Sequence, residues 1–203
     1  MQNIEQYRKL HSNNRSYGAS SLKFIEEISV FIDHLKPKRV LDYGCGKGAL
    51  IKGLKEKYPE IDFLGYDPAI PGKDILPQGP FDLVINTDVL EHIPEQELPG
   101  VIATIASLSD CVYFNLHHAL AKTILPNGEN AHCTVKPPQW YHELFKRFFK
   151  EVVPLKGRRP YLSVALTFDT PSHVVAAYMR VLNRVSRRPW WKRMLRKLVG
   201  KND

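Results

Sequence analysis

The sequence predicts an α/β domain built on a mostly parallel sheet with helices on both faces. Short apolar segments alternate with amphipathic helical patterns through the middle of the 203-residue chain. This order is typical of strands that are joined by crossover helices. The first apolar segment also runs directly into a row of glycines, which is where such a sheet exposes its backbone to a ligand.

The composition predicts a globular protein of a reducing compartment. The chain is 43% hydrophobic and 25% charged, which separates it from disordered sequences. We expect no transmembrane helix, since no apolar run reaches about 18 residues, and no signal peptide at the start. The cysteines Cys45, Cys111 and Cys133 have no paired spacing, so we expect no disulfide and a cytoplasmic location.

The predicted elements follow one another without an internal repeat or a flexible linker. Strands are expected at 39–43, 62–66, 81–86, 111–116, 152–155 and 161–168, the last two as an antiparallel pair joined by the turn at 157–160. Helices are expected at 20–35, 49–58, 99–108, 138–149 and 172–182. The predicted organisation is a core over 37–170, preceded by a lid and helix over 1–36 and followed by an extension over 171–203.

A glycine loop follows the first predicted strand, where residues 42–48 read Asp-Tyr-Gly-Cys-Gly-Lys-Gly. Gly44, Gly46 and Gly48 remove the side chains that would keep a ligand away from the backbone. The loop lacks the Gly-x-x-Gly end of the dinucleotide-binding fingerprint. Asp42 precedes the turn, where its carboxylate can orient the loop and face a ligand ammonium.

Two further segments extend this pattern. The second strand ends in Gly65-Tyr66-Asp67-Pro68, and Asp67 lies about 20 residues after the glycine loop, where a carboxylate binds ribose hydroxyls in nucleotide-binding sheets. The alternative is that Asp67 is an ordinary turn residue. The third segment, residues 81–94, is a strand followed by a polar turn.

Together the three segments resemble class I S-adenosylmethionine-dependent methyltransferases, whose first motif reads Val-Leu-Asp-x-Gly-Cys-Gly-x-Gly. The resemblance covers about residues 39–94. It implies a Rossmann-like fold with a mostly parallel seven-stranded sheet and an antiparallel last strand. It also implies methyl transfer with S-adenosyl-L-methionine as cofactor. The residues expected to bind that cofactor are Asp42, Gly44, Cys45, Gly46, Gly48, Asp67, Pro68, Thr87 and Asp88.

The N-terminal segment, residues 7–20, is expected to fold over the cofactor as a lid. Tyr7, Arg15 or Tyr17 would then contact the cofactor carboxylate or the acceptor. The alternative is an ordinary helix start, with Ser20 or Ser21 as the N-cap.

Acidic and imidazole side chains cluster where the acceptor is expected. Asp88, Glu91 and His92 have the spacing i, i+3 and i+4, which points three side chains the same way on a helical turn. His132 follows later in a polar segment. Two carboxylates and two imidazoles suit a divalent cation such as Mg²⁺, Mn²⁺ or Zn²⁺. The alternative is structural, with His92 packed against the sheet.

This cluster is similar to the Glu-x-x-Glu-His and later His of small-RNA 2′-O-methyltransferases, which hold a metal that binds the two hydroxyls of a terminal ribose. Ubiquinone-biosynthesis O-methyltransferases carry a similar motif and act on catechols. The resemblance implies Glu91, His92 and His132 as metal ligands. Asp88 stands at the fourth ligand position but is one methylene shorter than the Glu of the motif.

Methylation of an alcohol also requires a group that removes its proton. A metal that binds two neighbouring acceptor oxygens lowers the pKa of the oxygen to be methylated. His117, His118 and His132 are the candidate catalytic residues. Because His117 and His118 are adjacent on an extended segment, only one of them can face the site.

The segment at 124–140 is polar and rich in turns, as acceptor-binding loops often are. Trp140 either stacks on a sugar ring or packs at the start of a helix. The segment resembles methyltransferases encoded among bacterial surface-polysaccharide genes, which implies a glycan or glycolipid acceptor. Open alternatives are an RNA terminus or nucleoside, a small catechol or quinone, and a non-catalytic cofactor-binding subunit.

The end of the chain combines basic and apolar side chains. Its basic residues are Arg180, Arg184, Arg187, Arg188, Lys192, Arg193, Arg196, Lys197 and Lys201. With Trp190 and Trp191 this pattern predicts a helix on an anionic membrane surface, or on a partner at the membrane, and hence peripheral association with its inner face. The alternatives are nucleic-acid binding and a solvated helix packed on the domain.

Overall fold

The computed structural model describes residues 3–13 and 20–186. Its strands are β1 (Arg39–Tyr43), β2 (Asp62–Tyr66), β3 (Leu83–Thr87), β4 (Val112–His117), β5 (Val153–Lys156) and β6 (Leu162–Leu166). Its α-helices are α1 (Ile4–Asn13), α2 (Ile25–Leu35), α3 (Ala49–Lys57), α4 (Leu98–Leu108), α5 (Pro138–Phe145) and α6 (Ser172–Ser186). Short 3₁₀ turns occupy Ser20–Phe24, Leu90–His92 and Glu95–Glu97.

The strands form one sheet in the order β2-β1-β3-β4-β6-β5. The first four are parallel, whereas β6 runs antiparallel to both of its neighbours. The predicted Rossmann-like α/β fold with an antiparallel last strand is therefore confirmed.

The strand count differs from the prediction, because the described residues form six strands rather than seven. The segment beyond β2 makes consecutive turns, in which Ile70 N donates to Asp67 O and Lys73 N donates to Ile70 O. Residues 67–80 contain four prolines, and a proline cannot donate a ladder hydrogen bond. A further strand at this edge is therefore disfavoured by the sequence itself.

The sheet buries both of its faces. In β1 the side chain of Val40 packs with Phe31 of α2 on one face. The next side chain, Leu41, packs with Ile105 of α4 and Phe145 of α5 on the opposite face. This alternation explains why the central strands are continuously apolar, and the rigid sheet fixes the positions of the loops at its carboxyl edge.

Residues 172–186 belong to the domain instead of forming an appendage. In α6 the side chains of Val174, Tyr178 and Leu182 are buried, and the Tyr178 hydroxyl donates to the Lys156 carbonyl at 2.7 Å. The boundary predicted at residue 171 therefore cuts through a packed region of the core.

The predicted membrane-binding surface falls largely on residues 187–203, which lie outside the described residues. Trp190 and Trp191 are among them, and only Arg180 and Arg184 of the basic set are on α6. Within residues 3–13 and 20–186, no helix combines the length and apolarity that are needed to cross a bilayer.

Candidate active site

A cleft of about 910 Å³ opens at the carboxyl ends of β1, β2, β3 and β4. The glycine loop and the end of β2 form one half of it, which we call the cofactor half. The turn after β3, the end of β4 and the loop that follows form the other half, the acceptor half. Parallel α/β sheets bind ligands at this edge, and helix α1 lies against both halves.

The glycine loop packs closely against its neighbours. The backbone N–H groups of Gly44 and Cys45 both donate to the Tyr66 carbonyl, at 2.7 and 3.0 Å. Gly44 has φ +87°, and a Cβ there would lie 2.3 Å from Cγ2 of Val89. The absence of a side chain at Gly44 thus allows the turns after β1 and β3 to meet.

Asp67 holds the glycine loop from the end of β2. Its Oδ2 accepts a hydrogen bond from Gly46 N at 2.8 Å, and its Oδ1 accepts one from Ala69 N at 2.9 Å. Each carboxylate oxygen can accept a second hydrogen bond. The predicted contact between Asp67 and ribose hydroxyls therefore stays a prediction that this geometry permits.

Asp42 is a buried acid on the cleft wall. Neither of its carboxylate oxygens has a hydrogen-bond partner among the described residues. Burial, with the neighbouring Asp67 charge, raises the pKa of Asp42 to about 7, while Lys73 acts in the opposite direction. An unpaired buried carboxyl is unfavourable, so this position favours a cationic ligand.

The remaining predicted cofactor residues lie around Asp42. The cleft wall includes Cys45, Pro68, Thr87 and Asp88. Gly48 stands behind the wall, where a Cβ would lie 2.4 Å from Nζ of Lys73. Its φ of +83° is the left-handed conformation that glycine adopts readily.

In the acceptor half, Glu91, His92 and His132 come together. One potential ligand atom from each residue lies within 4.8 Å of the other two. Glu91 and His92 are on the 3₁₀ turn after β3, whereas His132 is on the loop after β4. The structure therefore assembles the three ligands that the sequence predicts, and we refer to them as the Glu-His-His cluster.

Hydrogen bonds orient both imidazoles of the cluster. His92 Nδ1 lies 2.8 Å from the Ala131 carbonyl oxygen, and His132 Nδ1 lies 2.6 Å from the Ala119 carbonyl oxygen. A carbonyl only accepts, so each Nδ1 carries the proton and each Nε2 keeps a lone pair for a metal. Burial, followed by the neighbouring His132, lowers the pKa of His92 to about 4. His92 is therefore neutral, as a ligand must be.

Glu91 is the acidic member of the cluster and would supply its negative charge to a bound cation. It is fully buried, and neither carboxylate oxygen has a hydrogen-bond partner among the described residues. Burial and the nearby Asp88 charge raise the pKa of Glu91 well above its usual range. Two imidazoles and an orphaned carboxylate form a donor set that fits a divalent cation such as Zn²⁺ or Mn²⁺.

Asp88 stands apart from the cluster, so the structure does not support it as a fourth metal ligand. Its Oδ2 pairs with Lys23 Nζ at 2.9 Å. Asp88 has a left-handed backbone, with φ +53°. It lies on the cleft wall, so its predicted contact with the cofactor stays a prediction.

Residues 15–148 match the family model described as a methyltransferase domain. The chain belongs to the methyltransferase domain family. The enzyme class predicted from the glycine loop and its two companion segments is therefore confirmed. No curated protein sequence matches this methyltransferase.

Solved structures share the fold at low identity. An O-methyltransferase family protein from Burkholderia thailandensis is 12% identical (TM-score 0.50), over 73% of this chain and 58% of that one. The methyltransferase domain of a bacterial Hen1, CtHen1-CN, is 14% identical (TM-score 0.54), over 72% of this chain and 98% of that one. Human N-acetylserotonin methyltransferase is 16% identical (TM-score 0.52), over 82% of this chain and 55% of that one. The matched region thus spans little more than half of the first and third of these proteins.

The two adjacent histidines at the end of β4 face different surroundings in this methyltransferase. His117 lines the cleft, and its ring centroid lies 4.6 Å from that of His132. His118 lies behind the wall, where Nδ1 is 2.7 Å from the Lys136 carbonyl and Nε2 is 2.7 Å from Ser163 Oγ. The structure therefore supports His117, and not His118, as the candidate base.

The polar segment at 124–140 supports the cleft more than it lines it. Of these residues, all of which the structure describes, His132 alone lies on the cleft wall. The Asn130 side chain accepts hydrogen bonds from the backbone N–H groups of Ala121 and His132, at 3.0 and 2.9 Å. Trp140 packs against Tyr141 and does not line the cleft, which agrees with the packing alternative.

Several further residues of the acceptor half were not predicted from the sequence, among them Lys23, Ala119, Lys122 and Tyr161. They come from the 3₁₀ turn before α2, the loop after β4 and the turn between β5 and β6. No motif or periodicity marks them, because only tertiary contacts bring these turns together.

The N-terminal segment contributes through α1. Tyr7 lies on the cleft wall, and its hydroxyl donates to the Ala131 carbonyl at 2.6 Å. Arg15 and Tyr17, the other predicted contacts, lie outside the described residues, and Ser21 also lines the cleft.

Proposed function

We propose that this methyltransferase transfers a methyl group from S-adenosyl-L-methionine to a sugar hydroxyl that has a second hydroxyl beside it. A divalent metal ion held by the Glu-His-His cluster would bind the acceptor. The observation that carries this proposal is the convergence of Glu91, His92 and His132 in the acceptor half of the same cleft that the glycine loop lines.

The cofactor half suits a cationic, ribose-bearing methyl donor. The orphaned carboxylate of Asp42 faces a space where an ammonium or sulfonium would offset its burial. Asp67 fixes the glycine loop and can still accept from hydroxyls. Human N-acetylserotonin methyltransferase was solved with S-adenosylmethionine, and magnesium protoporphyrin IX methyltransferase from Synechocystis with S-adenosylhomocysteine. Both likenesses support the same class of cofactor here.

In the acceptor half the chain orients the reacting oxygen and receives its proton. A bound divalent ion supplies a lowered pKa for a hydroxyl that it coordinates. His117 lies beside His132 and is placed to take that proton. Burial lowers the pKa of His117, so the imidazole is unprotonated and can act as a base at neutral pH. His132 serves as a ligand in this proposal instead of as the base.

The rim of the acceptor half favours a polar, ring-shaped acceptor. Tyr161 is 45% exposed, and its ring lies 4.9 Å from that of His117, so it presents an aromatic surface to the cleft. Lys122 and Thr123 also line the cleft and provide an amine and a hydroxyl. Such a mixture of aromatic and hydrogen-bonding groups suits a sugar.

A terminal ribose of RNA is the second candidate, because it offers the same pair of neighbouring hydroxyls. The fold likeness to the bacterial Hen1 methyltransferase domain, at a TM-score of 0.54, favours it. A catechol would also present two oxygens, but it would leave the polar rim unused.

The test is a methyl-transfer survey with S-adenosylmethionine labelled in its methyl group. The acceptors are free and lipid-linked sugars, RNA with a terminal 2′,3′-diol or a 3′-deoxy end, and catechols. We expect sugar methylation that is lost with a chelator and restored by Mn²⁺ or Zn²⁺. Variant His132→Ala should behave like the chelated enzyme, whereas His173→Ala, at an exposed position on α6, should not.

Three results would overturn parts of this proposal. Full activity after exhaustive chelation would show that the reaction does not need a metal. Methylation that is confined to the RNA diol would replace the sugar with RNA. Failure to bind S-adenosylhomocysteine in calorimetry would remove the methyl donor.

We also propose that the basic end of the chain, residues 187–203, binds an anionic membrane surface. The support is its sequence, in which cationic side chains stand beside Trp190 and Trp191. Full-length protein should sediment with phosphatidylglycerol vesicles, less so at high salt, and a variant that ends at residue 186 should remain in solution. Equal sedimentation of the two proteins would contradict the proposal.

A further inference from the structure

Helix α1 covers the cleft without a fully buried side chain. It is ten residues long, and none of its residues is buried. A helix of this length is marginal on its own in water. Its position across the cleft therefore depends on the contacts that it makes with the rest of the domain.

On the acceptor side, α1 touches the surroundings of a predicted metal ligand. The Tyr7 hydroxyl donates to the Ala131 carbonyl at 2.6 Å and lies 3.1 Å from His92 Nδ1. The same carbonyl accepts from His92 Nδ1. The rings of Tyr7 and His92 also meet edge to face, with centroids 5.3 Å apart. Tyr7 thus contacts both the imidazole and the carbonyl that orients it.

On the cofactor side, the same helix covers the other half of the cleft. Asn3, Ile4 and His11 lie on the cleft wall together with Tyr7. Burial lowers the pKa of the His11 imidazole, and the Asp67 carboxylate opposes this shift. A methyl donor bound between α1 and the glycine loop would therefore add contacts to this helix.

We propose that Tyr7 is a positioning residue for His92 and that, through α1, it makes cofactor binding and metal binding cooperative. This inference rests on the proposed function, since it requires both ligands to bind in the cleft. Cofactor binding orders α1, and the ordered helix holds Tyr7 on Ala131 and His92. The imidazole is then oriented before the metal arrives, so the metal binds more tightly. By linkage, the metal must tighten cofactor binding by the same factor.

The test uses Co²⁺ as the metal and S-adenosylhomocysteine as the cofactor probe, with the full chain. Co²⁺ affinity is measured from the visible absorption of the bound ion, with and without saturating S-adenosylhomocysteine. We expect S-adenosylhomocysteine to tighten Co²⁺ binding about fivefold or more in the wild type. In Tyr7→Phe, which keeps the ring and loses the hydroxyl, that factor should fall to nearly one. With S-adenosylhomocysteine bound, Co²⁺ binding to this variant should be about tenfold weaker than in the wild type, as for loss of an outer partner of a ligand, whereas without it the affinity should change little because α1 is not yet ordered.

Tyr58→Phe is the matched control, because it also removes a single phenol hydroxyl. The Tyr58 hydroxyl donates to Asp33 at 2.7 Å, and Tyr58 is not on the cleft wall. This variant should retain the wild-type coupling. If the two hydroxyls had a purely structural role, both variants would lose thermal stability, and S-adenosylhomocysteine would tighten Co²⁺ binding by the wild-type factor in each of them.

The outcomes separate this inference from the proposed function. Wild-type protein that binds both probes independently would overturn the coupling and leave the proposed function in place. A Tyr7→Phe variant with the full wild-type factor would also overturn it. Wild-type protein that binds S-adenosylhomocysteine but not Co²⁺ would remove the metal from the proposed function, and this inference with it.

Discussion

Lys23 Nζ lies 2.9 Å from Oδ2 of Asp88, and this ion pair separates the first acid of the Asp-x-x-Glu-His motif from the second. Asp88 is paired through Oδ2 with a cation of the protein itself, and only its Oδ1 has no hydrogen-bond partner among the described residues, whereas both carboxylate oxygens of Glu91 are buried without one. The two acids of the motif therefore differ in what they require. Asp88 already has a cationic partner, and Glu91 is suited to an added cation.

The first prediction compares these two acids in metal binding. Glu91→Gln removes the anionic ligand and should weaken Co²⁺ binding by more than about 100-fold, which exceeds the usual effect of an outer-shell change. Asp88→Asn removes only a partly exposed ion pair and should change the affinity by less than about threefold. Absorption titration with Co²⁺ measures both. An equal loss of Co²⁺ affinity in the two variants would indicate that Asp88 is also a metal ligand.

The second prediction concerns the pH dependence that Asp42 imposes on stability. Burial raises the pKa of Asp42 to about 7, above its value in the unfolded chain. The folded state therefore binds the proton more tightly, so stability falls as the pH rises from about 4 to about 7 and stays reduced above that. Asp42→Asn cannot ionise and should be more stable than the wild type at pH 8, by about 1–3 kcal/mol.

Thermal unfolding at pH 5 and pH 8, without ligand, checks this prediction. The stability advantage of Asp42→Asn should shrink at pH 5, while S-adenosylmethionine binding should be weaker in the variant at pH 8. A variant that is less stable than the wild type at both pH values would show that Asp42 has a stabilising partner after all.

The third prediction concerns the approach of the turns after β1 and β3. Gly44→Ala places a Cβ 2.3 Å from Cγ2 of Val89, at φ +87°, so the variant combines a steric clash with a strained backbone. We expect a loss of about 2–4 kcal/mol in stability and no detectable S-adenosylhomocysteine binding. Gly100→Ala is the control, because its Cβ would meet nothing within 4 Å on helix α4. It should leave binding intact and stability unchanged or slightly higher.

The cofactor half was largely predictable because its signals are local. A strand, the glycine loop at 42–48 and Asp67 after the next strand are read from short windows of sequence. The Glu91-His92 pair is equally local. His132 could be added because the resemblance to metal-dependent methyltransferases supplied a long-range pairing that spacing alone does not give.

The rest depends on tertiary contacts that no local pattern encodes. The pairing of Asp88 with Lys23 joins residues that are 65 positions apart. Tyr161 reaches the cleft only because β6 pairs with β4 and brings the turn before it next to His117. Strand alternation predicts that one of His117 and His118 faces the cleft, but it does not indicate which, since that depends on where β4 ends.

The fourth prediction concerns the buried ion pair between α2 and the turn before β6. Arg158 donates from Nε and Nη2 to the two carboxylate oxygens of Glu27, at 2.7 and 2.6 Å, and Glu27 is buried. Arg158→Met leaves this carboxylate unpaired, so stability should fall by about 2–4 kcal/mol at pH 7. Burial raises the pKa of Glu27, and loss of the arginine raises it further, so protonation at pH 5 should recover part of the loss.

Arg184→Met is the matched control for that prediction. Arg184 pairs with Glu26 at 2.9 Å on the exposed side of the same helix. Exposed pairs contribute little, so chemical denaturation of Arg184→Met should give a free energy of unfolding within about 1 kcal/mol of the wild type. Similar losses of stability in Arg158→Met and Arg184→Met would mean that solvent screens the ion pair of Glu27 as it screens the exposed pair of Glu26.

The fifth prediction separates the two histidines at the end of β4 by kinetics, with the acceptor that the methyl-transfer survey identifies. His117→Ala removes the proposed base and should lower kcat by about 100-fold or more, with little change in Co²⁺ affinity. Because burial lowers the pKa of His117, the wild-type rate should rise with pH and reach half of its plateau value below about pH 6.5. That rise should be absent in His117→Ala.

His118→Ala is the matched control. It leaves the Lys136 carbonyl and the Ser163 hydroxyl unpaired and should lower stability by about 1–3 kcal/mol, while kcat is kept. If His118→Ala lost kcat at full metal occupancy and His117→Ala did not, His118 would be the base and His117 the structural residue.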